Sequence, residues 1–236
     1  MLAAAEIKFI KSLSQKKFRD SEGLFVVEGE KMVQEALKSG FQVEKVYRKD
    51  DIGEAVMARI SSLNSPSPVL AVVKKPEVPF EAPGKGLYLA LDGIRDPGNL
   101  GTILRIADWF GIDAVYASED TVELYNPKVV QATMGAVFRV KFFTCNIPEL
   151  CRACPGPVYG TFLDGENIYR KELSATGIIV IGNEANGISA QTAACVTDRL
   201  FIPPYPADDP GSESLNAAVA TAIAVAEFRR QIGRKR

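Results

Sequence analysis

From Leu87 onward the chain alternates short apolar runs with helical stretches, and this alternation limits the fold more than any other feature. LYLALDG (87–93) precedes GNLGTILRIADWFG (98–111), and AVYAS (114–118) precedes NPKVVQATMG (126–135). FRVKFF (138–143), VYGTFLDG (158–165), IIVIGNE (178–184), LFIPP (200–204) and a last helix from about Ser214 follow. Apolar runs without polar alternation fit strands covered on both faces, and strands separated by helices fit parallel pairing. The expected fold class is α/β, with a mostly parallel sheet between helices.

The first third reads differently. Residues 1–74 suggest a small α/β unit: a basic helix, the strand-like LFVVEG (24–29), and the amphipathic EKMVQEALKSG (30–40) ending on Gly40 as a C-cap. Strand-like VEKVY (43–47) and VLAVV (69–73) follow, separated by another helix. Residues 75–86 carry three prolines and little periodicity, so a linker is expected there and a second domain over 87–236. A chain of 236 residues, 47% hydrophobic and 24% charged, suits two compact globular domains.

Composition removes several function classes. There is no histidine, so imidazole-dependent triads and His-ligated metal centres are excluded. No apolar run is long enough to span a bilayer, and charge interrupts the N-terminus too early for a signal segment, so a cytoplasmic protein with no membrane contact is expected. Its four cysteines should then be reduced. Cys151 and Cys154 form C-x-x-C, but with Cys145 and Cys195 the spacing is irregular for zinc, and ordinary semi-buried thiols without a metal are expected.

Net charge is −1, so positive charge is local only. Lys8, Lys11, Lys16, Lys17 and Arg19 lie near the start; Arg229, Arg230, Arg234, Lys235 and Arg236 end the chain. Such clusters are either phosphate-facing or simply solvated ends. Asp208 and Asp209, in a proline-rich loop, read as solvated charge.

Three glycine and asparagine motifs stand at strand–helix junctions. DPGNLGTILR (96–105) follows a strand and opens a helix, where free N–H groups can hold an anion, although its glycines do not make a dinucleotide fingerprint. IIVIGNEANGIS (178–189) runs from a buried strand into Gly182, Asn183, Glu184 and Gly187; Glu184 is either a site carboxylate or a solvated turn residue. In the third, residues 201–228, Ser212 or Ser214 could cap the final helix.

Together these motifs resemble those of the SpoU/TrmH RNA 2'-O-ribose methyltransferases of the SPOUT class. The matching residues occur in order: Asn99, Gly101 and Arg105; Gly182, Glu184 and Gly187; Ile202, Pro203, Ser214, Leu215, Asn216 and Ala220. MGAVFRVKFF (134–143) also resembles that family, and KKFRDSEGLFVVEGEKMVQEAL is similar to the ribosomal-protein-like substrate-binding domain of its rRNA-modifying members. The loop PYPADDPGSE (204–213) is longer than is usual there, and Ala218 stands where serine is common.

The resemblance implies a SPOUT catalytic domain with a deep trefoil knot and S-adenosylmethionine as cofactor, surrounded by Thr161, Phe162, Leu163, Gly182, Asn183, Gly187, Ile202, Pro203, Ser214, Leu215 and Asn216. Asn99, Arg105, Glu184, Ser214 and Asn216 would be catalytic. Arg105 matches the family's arginine, and because a guanidinium stays protonated its role is to hold phosphate and the developing alkoxide. The proton acceptor is left open between Glu184 and an RNA phosphate, and Glu184 is alternatively a structural partner of Arg105. Lys16, Lys17, Arg19, Arg105 and Arg139 are the expected RNA contacts. The implied partners are RNA, rRNA rather than tRNA, and a second copy in a homodimer. One competing function is a catalytically inactive RNA-binding protein of the same fold, against which intact Asn99, Arg105, Glu184 and Asn216 argue; another is a nucleotide-dependent oxidoreductase on a doubly wound sheet, opposed by the missing fingerprint and the absence of histidine.

Overall fold

A computed structural model describes residues 2–206 and 213–233. Asp208, Asp209, Ser212, Arg234, Lys235 and Arg236 lie outside them. The described chain forms two compact units.

The first unit begins with α1 (Ala4–Ser12) and α2 (Lys16–Glu22), then β1 (Leu24–Glu28), α3 (Glu30–Lys38), β2 (Val43–Arg48), α4 (Lys49–Ile52), α5 (Glu54–Ile60) and β3 (Val69–Lys74). Its sheet is antiparallel, in the order β1-β3-β2. The central strand β3, VLAVVK, is buried on both faces, which explains why it reads as an unbroken apolar run. On one side Ile7, Ile10, Leu13, Met57 and Ile60 pack against Leu70 and Val72. On the other, Phe25, Met32, Val33 and Ala36 pack against Ala71 and Val73. Helix α3 ends at Ser39, in extended conformation, and not on Gly40.

Residues 75–86 carry neither helix nor strand. The next elements are β4 (Leu87–Asp92), α6 (Pro97–Trp109), β5 (Val115–Ala117), α7 (Pro127–Thr133), a 3-10 turn (Ala136–Phe138) and β6 (Phe142–Thr144). They lead to α8 (Ile147–Ala153), β7 (Val158–Asn167), β8 (Gly177–Gly182), α9 (Ala190–Ala193), β9 (Asp198–Phe201) and α10 (Ala217–Gly233). The contiguous second domain expected over 87–236 is interrupted: Glu123–Arg139 belongs to the first unit, and the second comprises Phe80–Val122 and the chain from Val140. Aromatic packing gives the reason. Tyr125 lies 4.5 Å from Phe25, ring centre to ring centre, Phe138 lies 6.4 Å from it, and Val130 and Val137 are buried in the same cluster.

The second unit's sheet has six strands in the order β6-β5-β4-β8-β7-β9, and every pairing is parallel. Its two central strands, β4 and β8, are the apolar LYLALD and GIIVIG. The segment read as a strand over 138–143 is instead the end of the 3-10 turn followed by the short β6. Arg139 and Lys141 interrupt the apolar run, which leaves only three residues to pair.

Candidate functional site

Parallel register aligns four strand ends. Asp92 at the end of β4 pairs with Gly182 at the end of β8; Gly160 of β7 pairs with Val180; and Thr161 pairs with Leu200 of β9. The carboxyl ends of β4, β8, β7 and β9 therefore lie side by side, the edge at which open α/β sheets take ligands. Thr161 and Gly182 are paired at this edge, Phe162, Leu163, Asn183, Ile202 and Pro203 follow just beyond the pairing, and α6 starts just past β4.

Helix α6 is held at its start by Asp96, whose carboxylate accepts from the Asn99 backbone N–H at 2.8 Å, with Pro97 in the first turn. This is an N-cap followed by proline at N1, a signal the sequence carries as Asp96-Pro97. The Asn99 side chain, 8% exposed, then reaches across. Its Nδ2 donates to Glu184 Oε1 at 2.9 Å, and its Oδ1 accepts from Asn216 Nδ2 at 2.8 Å. Glu184 also faces the backbone N–H groups of Arg95 and Asp96, at 3.4 and 3.3 Å. Asn216 Oδ1 accepts from the N–H groups of Ala218 and Val219, at 2.9 and 3.2 Å. Asn216 is thus the cap of α10, in place of the serines expected there.

The network has one direction. An ionised carboxylate can only accept, so Asn99 must turn its NH₂ toward Glu184 and present its oxygen outward. That oxygen requires the NH₂ of Asn216, whose own oxygen is left for the free N–H groups that begin α10. A carboxylate at one end and a helix N-terminus at the other fix the orientation of both amides, and the three motifs become one unit. Burial pushes the Glu184 carboxyl up, but hydrogen bonds from Asn99 and from backbone N–H groups outweigh it and hold it below the ordinary 4.5.

The turn after β8 has its own geometry. Asn183 and Gly187 exchange backbone hydrogen bonds at 2.9 Å in both directions, and Asn183 Oδ1 accepts from Ala185 and Asn186. Gly187 sits at φ +67°, and a Cβ on Gly182 would lie 2.3 Å from the Gly187 carbonyl carbon. Left-handed backbone accounts for one glycine of the motif and close approach for the other. Asn183 Nδ2 ties this turn to the Gly93 carbonyl at 2.6 Å, and Asp92 accepts from the Ser189 N–H at 2.8 Å. Nothing in the sequence distinguishes Asp92 from a strand-end aspartate.

Arg105 is exposed on α6 and makes no hydrogen bond or ion pair among the described residues, so it is not the partner of Glu184. Helical side chains lean toward the N-terminus, which directs Arg105 back over Gly101 and Thr102 toward the start of α6. Ser214 and Leu215 are exposed ahead of α10.

The other expected RNA contacts divide. Arg19 is not at the surface: it is 2% exposed, donates to the carbonyls of Leu13 and Ser14 at 2.9 and 2.8 Å, and pairs closely with Glu123. A buried guanidinium saturated in this way is a structural tie. Lys16 pairs with Asp20 at 2.6 Å, and Arg139 with Glu35. Lys17 is exposed and unpaired among the described residues. At the other end Arg229 donates to the carbonyls of Phe110 and Gly111, at 2.8 and 2.5 Å, closing the C-terminus of α6. Cys151 is buried, and Cys145, Cys154 and Cys195 half-buried, in one apolar cluster; all four are free. Desolvation raises the thiols of Cys145 and Cys151 to about 11 and about 12.

Residues 86–226 match the SpoU rRNA Methylase family, and residues 4–55 match the MRM3-like substrate binding domain. The 23S rRNA (guanosine(2553)-2'-O)-methyltransferase RlmP of Bacillus subtilis is 31% identical over 95% of this chain and 96% of its own length. A TrmH-family protein from Porphyromonas gingivalis superposes with a TM-score of 0.86 at 40% identity, covering 98% of this chain and 99% of the other. An AdoMet-bound rRNA methyltransferase from Sinorhizobium meliloti superposes at 0.88 with 28% identity, covering 98% and 97%. With a family match over more than half its length, and its three motifs joined through Asn99, the chain belongs to the SpoU rRNA methylase family.

Proposed function

We propose that this protein transfers a methyl group from S-adenosylmethionine to a ribose 2'-hydroxyl of RNA, with rRNA favoured over tRNA. The observation that carries this reading is the Asn216–Asn99–Glu184 chain at the carboxyl edge of β4 and β8. The candidate cofactor residues fit such a ligand by their chemistry. Thr161, Phe162, Leu163, Gly182, Asn183, Gly187, Ile202, Pro203, Ser214, Leu215 and Asn216 include no ionisable side chain, and Leu163 and Leu215 are 72% and 48% exposed. An apolar wall with backbone donors and acceptors suits a purine and the methylene chain beside a sulfonium better than a phosphate.

When bound, the cofactor supplies an electrophilic methyl on a sulfonium, and the protein positions the hydroxyl and receives its charge. Arg105, exposed and unpaired, is the group able to grip a phosphate and the nascent oxyanion. Glu184, held ionised by Asn99 and backbone N–H groups, fixes the α6 N-terminus. A phosphodiester is a weaker base still than a carboxylate, so Glu184 and an RNA phosphate both stand as candidate proton acceptors.

The first unit is proposed to hold RNA, with Lys17 as one phosphate contact. A homodimer fits the 84% exposure of Trp109 on α6. No helix among the described residues is long and apolar enough to cross a membrane; a cytoplasmic location is proposed from the kinship. Calorimetry with S-adenosylmethionine and with NAD, beside mapping of 2'-O-methyl sites in RNA from cells with and without the gene, tests the reading. NAD binding in place of S-adenosylmethionine would overturn it. RNA binding with no site lost would favour an inactive RNA-binding protein.

A further inference from the structure

Strand β7 leaves the sheet and returns at one point of β9. Thr161 and Glu166 both pair with Leu200, and Asn167 then pairs with Phe201, so residues 162–165 are looped out between two contacts to a single residue. An excursion of four residues anchored only at its ends would sample many conformations. One side chain closes it. The Arg199 guanidinium lies 3.5 Å from the centre of the Phe162 ring, and its Nη2 donates to Asp164 Oδ1 at 2.5 Å. The flanking glycines admit this fold: a Cβ on Gly160 would meet Phe162 Cε2 at 2.6 Å, and one on Gly165 would meet the Leu200 carbonyl carbon at 2.5 Å. Between the two residues gripped by Arg199, Leu163 stands 72% exposed.

We propose that Arg199 is a positioning residue for the cofactor site, clamping Phe162 and Asp164 so that Leu163 is presented as a preformed apolar wall. Arg199 touches no reacting atom; it acts through the excursion. The proposal rests on the reading of Thr161, Phe162 and Leu163 as cofactor contacts. A planar cation suits the task, because it can stack on a ring with its face while its edge holds a carboxylate. Without the clamp the binding-competent form of 162–165 becomes a fraction of the ensemble, and apparent affinity falls by that fraction. The chemistry after binding is unaltered.

The test uses the full-length chain in four forms: wild type, Leu163→Ala, Arg199→Ala and Asp164→Asn. S-adenosylmethionine affinity is measured by calorimetry, and KM and kcat by methyl incorporation into rRNA. Arg199→Ala should raise Kd and KM for the cofactor about three- to tenfold while kcat at saturation stays within about twofold. Asp164→Asn should raise them less, and a cycle of single and double variants should give non-additive losses, since both release one clamp. Leu163→Ala separates loss of the apolar wall from loss of the clamp that presents it. If Leu163→Ala weakens binding and Arg199→Ala and Asp164→Asn do not, the clamp is overturned while the cofactor reading stands. If Leu163→Ala leaves affinity unchanged, the cofactor reading of the excursion fails first and the clamp with it. An equal fall in kcat with unchanged KM for Arg199→Ala would also overturn the proposal. Should Arg199→Ala fold poorly, Asp164→Asn, a change on an exposed carboxylate, carries the same decision.

Discussion

A single asparagine decides how the three motifs fit together. Asn99 could have been a helix cap, a solvated polar residue or a site residue on sequence alone, and Asp96 takes the capping role, which leaves the Asn99 side chain for Glu184 and Asn216. Motif spacing picked out Asn99, Glu184 and Asn216, which the fold brings together; the direction of the amides was not legible, because it depends on hydrogen bonds spanning 85 and 117 positions. Glu184→Gln is expected to lose about 1 kcal/mol at neutral pH, since a neutral amide accepts more weakly from Arg95, Asp96 and Asn99. The folded carboxyl lies below its ordinary 4.5, so its contribution is fully present above that value and disappears as pH falls through the lower folded value. Thermal melts of wild type and Glu184→Gln should therefore converge below pH 4.5; a constant gap from pH 7 downward would contradict this. Arg105→Lys belongs to the same scale. Its turnover should fall by roughly two to three orders of magnitude, the effect of removing one preorganised donor, with cofactor affinity retained in calorimetry.

Helices and strands with long apolar or well-marked ends were legible: β4, β8, α6 and α7 follow directly from their residue patterns. The four residues of α9 carry too little periodicity to register, whereas α8 is as long as α7 and its start signal, Asn146 with Pro148 in the first turn, is present in the sequence. Arg19 shows a different limit. A lysine-rich stretch reads as solvated, and its buried partner Glu123 is 104 positions away, invisible to any local window. Arg19→Ala should lower stability by about 3 kcal/mol, since Glu123 and two carbonyls lose their partner in a buried setting; urea denaturation measures it, and a change below about 1 kcal/mol would restore Arg19 to the surface. At the start of α10, Asn216 both caps the helix and donates to Asn99, and two substitutions separate these tasks. Asn216→Ala should lose about 1 kcal/mol of stability together with the network. Asn216→Asp should keep the cap but set a carboxylate against the Asn99 oxygen, so its melting temperature stays near wild type while methyl transfer falls. Equal activity for Asn216→Asp and wild type would show that the network does not orient the site.

At the level of the whole molecule, two compact units were expected from length and from the prolines of 75–86, but the return of Glu123–Arg139 to the first unit was not. The aromatic pair Phe25 and Tyr125 makes that connection, and no linker signal flanks it. Deleting residues 1–74 should consequently do more than weaken RNA binding: it exposes Val130 and Val137, about 1.5–3 kcal/mol each, and the truncated chain should aggregate. A homodimer, if Trp109 lies in its interface, should dissociate in Trp109→Glu, read by sedimentation at micromolar concentration; an unchanged sedimentation coefficient would place the interface elsewhere. Methyl transfer to ribose is read by digesting rRNA to nucleosides after incubation with the purified protein and isotopically labelled S-adenosylmethionine. Label is expected on the ribose of a single 2'-O-methylated nucleoside, strongly reduced with Arg105→Lys. Label on a base, or none in rRNA that the protein binds, would contradict it.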